Sequence, residues 1–226
     1  MDRFLTRESG HQVRHSFSFG SFYDPDRVAF GPLVALNDDL LGTGSGYAAH
    51  DHADVVLVTW VVLGSLEHTD GSGTSLQPAG TLSVTHAGSG LTHSETAAEA
   101  TRFIQMWLRP DRDGGDPHRE VTTPDLSTGG LVVAAGAEEL RIAGAALSLA
   151  DLAAGETATL PDATLVYAFV VTGALTRSSL AEPLTAGDAF EIRREDGSEG
   201  EIAVTAAVPT QLLVWWFEVR EPAPRG

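Results

Sequence analysis

A chain of 226 residues without cysteine has room for one large domain or two small ones, and any metal it binds must be held by imidazole and carboxylate. Its 14 Lys and Arg stand against 31 Asp and Glu, a formal net charge of −17 with no concentrated basic patch, which argues against direct nucleic-acid binding and against an anionic membrane surface. No apolar run nears the length of a membrane span, and the opening Met1-Asp2-Arg3-Phe4 lacks the layout of a secretion signal, so a cytoplasmic protein is expected.

Short β-prone runs broken by Gly, Pro and Asp turns then follow one another. Residues 55–63 form a β-branched run too short to be read as a helix, ended by Gly64. Residues 65–69 continue as a second strand up to the turn Asp70-Gly71-Ser72-Gly73. Strands are expected again at 81–86, 101–108, 130–134, 140–147, 164–172, 189–193, 202–206 and 211–219. The segment 110–128, rich in Asp, Gly and Pro, reads as a linker, which gives domains at 1–115 and 129–226. Many short strands at close spacing indicate an all-β sandwich or barrel. An internal echo points to two copies of it: Val61-Val62-Leu63-Gly64-Ser65-Leu66 against Val170-Val171-Thr172-Gly173-Ala174-Leu175, and 76–80 against 184–188. No histidine lies beyond His118, so histidine chemistry belongs to the first copy.

His50-Asp51-His52 and His93-Ser94-Glu95 place ligand-type residues at i and i+2, which on a β-strand share one face. If the two strands are neighbours, three imidazoles and one carboxylate converge, a set suited to Fe(II), Mn, Co, Ni, Cu or Zn with positions left open for substrate. A lone His-x-His is more often an ordinary surface strand; two such pairs bracketing a strand-turn-strand segment weigh against coincidence. For the remaining candidates the bland readings are preferred. His86 is a strand residue, His68 a buried hydrogen-bonded residue at a strand end, and His11 and His15 capping or surface residues of an N-terminal arm. Asp51 is solvated on the opposite face, and Trp215-Trp216-Phe217 belongs to a core or interface strand. Gly42-Thr43-Gly44-Ser45-Gly46 lacks the Lys-Ser/Thr ending of a phosphate loop, and no Gly-x-Ser-x-Gly elbow is present.

Gly44 followed by His50 and His52, and Gly80 followed by His86 and His93, resemble the two cupin motifs. Arg14-His15-Ser16-Phe17-Ser18-Phe19-Gly20, Tyr23-Asp24-Pro25, Phe30-Gly31-Pro32-Leu33, Leu36-Asn37-Asp38-Asp39, Glu67-His68-Thr69-Asp70, His93-Ser94-Glu95 and Gln105-Met106-Trp107-Leu108 more specifically resemble the pirin family. The resemblance is dense over 14–110 and reaches the second half only in outline. It implies a bicupin, two tandem cupin-type jelly-roll barrels, with one metal ion in the first. That ion is typically iron, here expected as Fe(II), on His50, His52, His93 and Glu95. Bacterial members are described as quercetin 2,3-dioxygenases and animal members as iron-dependent transcriptional co-regulators. The expected activity is therefore oxidation of a small aromatic substrate by dioxygen, with Glu95 as the catalytic base, in a monomer. The alternative is an iron-binding redox sensor that acts on a protein partner. Asp51 stands where the family usually has Pro, Ala53 where it has Arg, Val56 where it has an acidic residue, and His86 where a small residue is usual, so the pocket mouth differs while all four ligands remain.

Overall fold

The computed structural model describes residues 4–8, 10–19, 23–176, 182–194 and 200–218. The chain divides into two compact units, Met1–Pro124 and Asp125–Gly226. Both are built almost wholly of β-strands, and no helix among the described residues is long and apolar enough to cross a membrane.

The first unit opens with β1 (Phe4–Glu8), β2 (His11–His15), β3 (Leu33–Leu41) and β4 (Gly46–His52). It continues with β5 (Val56–Leu63), β6 (Ser65–Asp70), β7 (Gly73–Pro78) and β8 (Leu82–His86), then β9 (Leu91–Ala97), β10 (Thr101–Leu108) and β11 (His118–Thr122). Seven of these form one sheet in the order β1-β2-β3-β10-β5-β8-β11, and four form another in the order β4-β9-β6-β7. Side chains of both sheets meet in a core of Leu41, Val61, Leu66, Ala97 and Phe103. β5 lies inside the larger sheet, between β10 and β8, and is buried along most of its length, which is why its sequence is a largely apolar run. On β9 burial instead alternates: His93, Glu95 and Ala97 point in, while Thr92, Ser94 and Thr96 point out.

The second unit contains β12 (Val132–Ala135), α1 (Ala137–Leu140), β13 (Ala145–Leu152), β14 (Thr157–Thr159) and β15 (Leu165–Thr172). It ends with β16 (Ala174–Leu175), β17 (Leu184–Thr185), β18 (Ala189–Arg193), β19 (Ala203–Thr205) and β20 (Thr210–Phe217). A five-stranded sheet, β12-β13-β20-β15-β18, is accompanied by the pairs β14-β19 and β16-β17.

The duplication is visible atom by atom. Gly64 and Gly173 both take positive φ, +76° and +80°, in a region that side-chain-bearing residues rarely occupy. A Cβ on Gly64 would meet the Ala100 carbonyl and lie 2.9 Å from Thr101 Cα; on Gly173 it would meet the Pro209 carbonyl and lie 2.8 Å from Thr210 Cα. Thr101 Oγ1 accepts from Ser65 N–H (3.1 Å) and donates to the Ser65 carbonyl (2.9 Å), and Thr210 does the same with Ala174 at 3.0 and 2.9 Å. Gly80 N–H reaches the Val61 carbonyl as Gly187 N–H reaches that of Val170.

Several expectations are corrected. The segment 110–128 is not uninterrupted linker, because β11 pairs along its whole length with β8. The N-terminal arm is sheet: β2 pairs with both β1 and β3, and His15 is buried. Residues 140–147 are not one strand. Glu139 folds back so that its carboxylate accepts from Gly136 N–H at 2.8 Å, closing a helical turn, and the strand begins only at Ala145. Val219, the expected end of the last strand, and Gly20 lie outside the described residues.

Candidate metal centre

The site grows from the antiparallel pairing of β4 with β9. His50 sits directly opposite His93, and Tyr47 opposite Glu95. Cross-strand partners share a face, so Tyr47 and His50, three residues apart, can both point inward only because the register shifts between them. That bulge at Ala48-Ala49 is what aims His50 and His52 at His93. Gly46 permits the close approach of the two strands, since a Cβ there would meet the Glu95 carbonyl and lie 2.8 Å from Thr96 Cα.

The ring centroids of His50 and His52 are 4.8 Å apart, those of His50 and His93 4.5 Å, and those of His52 and His93 5.0 Å. One ligand nitrogen from each lies within 4.8 Å of the other two. Glu95 belongs to a second such group, with His93 and His68, so His93 is common to both. His50 Nδ1 lies 2.7 Å from the Ala48 carbonyl, an acceptor only; Nδ1–H is therefore the donor and Nε2 carries the lone pair. His52 packs edge to face against Trp107 at 4.9 Å. Burial, reinforced by the neighbouring His50, pushes His52 down to about 4 and His93 to about 3, so both rings are neutral at pH 7, as ligation requires.

Glu95 is almost fully buried and accepts from Gln105 Nε2 at 2.8 Å. The Gln105 amide is oriented in turn by Trp107, whose Nε1–H donates to Oε1 at 3.1 Å. Burial raises the Glu95 carboxyl to about 7 against the opposing pull of the Gln105 hydrogen bond. Gln105 lies in an interior polar row with Asn37 on β3 and Thr59 on β5, its partners in register.

A cavity of about 420 Å³ opens beside the cluster, lined by His50, Tyr47, Gln105 and Trp107 and on its far side by His11, Val13, His15, Phe19 and Asn37. Tyr47 Oη donates to Asp39 Oδ1 at 2.5 Å, and His11 Nε2 lies 3.1 Å from the same oxygen. Burial holds the Asp39 carboxyl above its usual range. Phe19 stacks on His15 at 4.4 Å. A larger recess of about 640 Å³ is lined by Asp70, Ser72, Thr85, Thr92, His118 and Arg119 and by none of the four expected ligands.

The four ligand-type residues thus occupy one pair of neighbouring strands. His68 is buried and hydrogen-bonded, as expected. His11 and His15 are not surface residues of an arm but the cavity's far wall, because only β3 separates β2 from β10. Asp51 points to the opposite, exposed face and accepts from Thr92 Oγ1 at 2.5 Å. His86 is buried on β8 outside both groups. Trp215 and Phe217 stack at 5.8 Å, buried within the second unit. Tyr47, Asp39, Gln105 and Trp107 escaped notice as site residues. The available signal was a glutamine in the middle of the otherwise apolar run 103–108.

A family model described as Pirin matches residues 1–108. The Mycobacterium tuberculosis protein Rv0181c, provisionally named a quercetin 2,3-dioxygenase, is 37% identical over 228 residues, covering 95% of this chain and 91% of its own. The quercetin 2,3-dioxygenase of Escherichia coli K12 is 35% identical over 135 residues, covering 53% of this chain and 58% of its own. Among solved structures, the bacterial pirin YhhW of Escherichia coli in complex with nickel(II) superposes with a TM-score of 0.83 at 24% identity, covering 96% of this chain and 95% of its own. The two-unit all-β fold is therefore the bicupin fold, and with full-length likeness to a bacterial relative and the family model over its first unit, the chain belongs to the pirin family.

Proposed function

We propose that this protein is a metal-dependent dioxygenase that opens quercetin or a related flavonol, with His50, His52, His93 and Glu95 holding Fe(II). The carrying observation is His93 Nε2, a buried nitrogen with no hydrogen-bond partner among the described residues, grouped with His52 and with His50, which lines a substrate-sized cavity. An unsatisfied buried acceptor is costly unless something fills its place, and an ion is the filling that three imidazoles suit. When bound, a transition metal lowers the pKa of a coordinated hydroxyl and lets electrons pass between an electron-rich substrate and dioxygen.

The protein's own groups supply the rest. Trp107, Tyr47 and Phe19 offer faces against which a flat aromatic ring can lie, and they exclude water from it. Glu95, titrating near neutrality, can take the proton of the substrate hydroxyl at a carboxylate oxygen while Gln105 keeps the other end of the group in place. The cavity beside His50 favours this reading over that of a redox sensor, which would need no such volume.

The test begins with untagged protein, reconstituted anaerobically with Fe(II), its metal content measured by elemental mass spectrometry. Oxygen uptake with quercetin should match flavonol loss and carbon monoxide release. His93→Ala should lose the metal, and Glu95→Ala should lose turnover. Retention of both metal and turnover by Glu95→Ala would sink the assigned role.

A further inference from the structure

A line of hydrogen bonds leads from the larger recess to the back of His93. Asp70, at the end of β6, is held by Ser72, whose N–H and Oγ donate to its Oδ1 at 2.8 and 2.6 Å. This leaves Asp70 Oδ2 facing His68 Nε2 at 3.2 Å. A carboxylate can only accept, so the hydrogen sits on His68 Nε2. A neutral imidazole has one N–H, hence His68 Nδ1 is a bare lone pair. His93 Nδ1 lies 3.4 Å from His68 Nδ1, and it must then be the donor of that long contact. The proton of His93 is thereby assigned to Nδ1. Its Nε2, a buried atom without a hydrogen-bond partner among the described residues, is left as the lone pair.

We infer that Asp70 and His68 are positioning residues that lock His93 in its Nδ1–H tautomer, presenting Nε2 to a divalent transition metal. The inference rests on the reading of His93 as a ligand. It assigns His68 to the support of the site: both of its nitrogens are already engaged, whereas His93 has one to spare. The His68 imidazole behind the ring, itself held by the Asp70 carboxylate, also makes the ligand nitrogen more basic and fixes the plane of the His93 imidazole. Asp70 and Ser72 line the recess of about 640 Å³, so the lock is set from one side of the histidine cluster while the cavity of about 420 Å³ meets His50 on another.

The test uses full-length, metal-free protein labelled with ¹⁵N on histidine. Long-range ¹H–¹⁵N correlation spectra distinguish the two neutral tautomers. His93 should carry its hydrogen on Nδ1 in the wild type and become a mixture in Asp70→Ala. Zn(II), a diamagnetic probe, should shift His93 Nε2 and leave the Nε2–H of His68 in place. Zn(II) affinity, measured against a chromophoric chelator, should fall roughly 10- to 100-fold in Asp70→Ala. Asp70→Glu should recover part of it. Ser72→Ala, which only slackens the carboxylate, should show a smaller change of the same kind should Asp70→Ala fail to fold. A wild-type His93 protonated on Nε2, or an Asp70→Ala protein with unchanged tautomer and affinity, overturns the lock. A correct tautomer in a protein that takes up no Zn(II) overturns the metal centre itself, and with it the purpose of the lock.

Discussion

Glu95 sets the pH behaviour of the metal-free protein. Its carboxyl titrates at about 7 in the folded state against 4.5 for an ordinary glutamate, because burial penalises the charged form. A raised value means the stability this group contributes is fully present below pH 4.5 and is gone once the pH has risen through about 7. The span corresponds to about 3 kcal/mol. His52 and His93 act in the opposite sense: with folded values of about 4 and about 3, their contribution is present above the ordinary 6.5 and is lost as pH falls towards those values. Glu95→Gln removes only the first effect. The melting temperature of metal-free Glu95→Gln, relative to wild type, should therefore climb between pH 4.5 and 7 and level off above. A difference that stays flat over that range would show that Glu95 ionises like an exposed glutamate.

At the scale of the element, the centre is a property of one strand pair. The bulge between Tyr47 and His50 and the contact of Gly46 with the β9 backbone must both survive for the imidazoles to converge. Gly46→Ala should push β4 off β9, costing about 1–3 kcal/mol of stability by overpacking and weakening Zn(II) binding at least tenfold. Thermal melts and Zn(II) titration check it, and unchanged binding would show that the strands tolerate separation. This level also marks what the sequence can reveal. The i, i+2 spacing of His93 and Glu95 foretells a shared face, and the alternation on β9 bears that out. The bulge has no such mark, since two alanines carry no sign of a register shift. Likewise β11 hides in a polar, turn-rich stretch, because an edge strand with exposed residues has no apolar pattern to display. Hydrogen-bond partners drawn from the other sheet, such as Gln105 on β10 for Glu95 on β9, depend on a packing of sheets that a linear pattern does not encode.

Across the whole molecule, charge outweighs any single contact in setting how stability responds to salt. A formal −17 over 226 residues means that self-repulsion opposes the compact state, and salt relieves it. Raising ionic strength from 0.01 to 0.15 M shortens the screening length from about 30 to about 8 Å, and the melting temperature should rise with it. A fall would mean that surface ion pairs outweigh repulsion.

The two units share a frame in which Gly44 and Gly155 each donate to the carbonyl of an alanine, Ala97 or Ala206, and that alanine donates back to Ser45 or Glu156. Where the first unit then brings His50 opposite His93, the second brings Leu160 to Ile202, with Val204 and Ala158 packed beside them. The place of the imidazoles is filled with hydrocarbon. Every sample of this protein consequently contains its own blank. In an amide spectrum recorded during metal addition, signals of the first unit report occupancy, and those of the second should stay still. Any movement among them would measure how far the event is felt beyond the copy that binds.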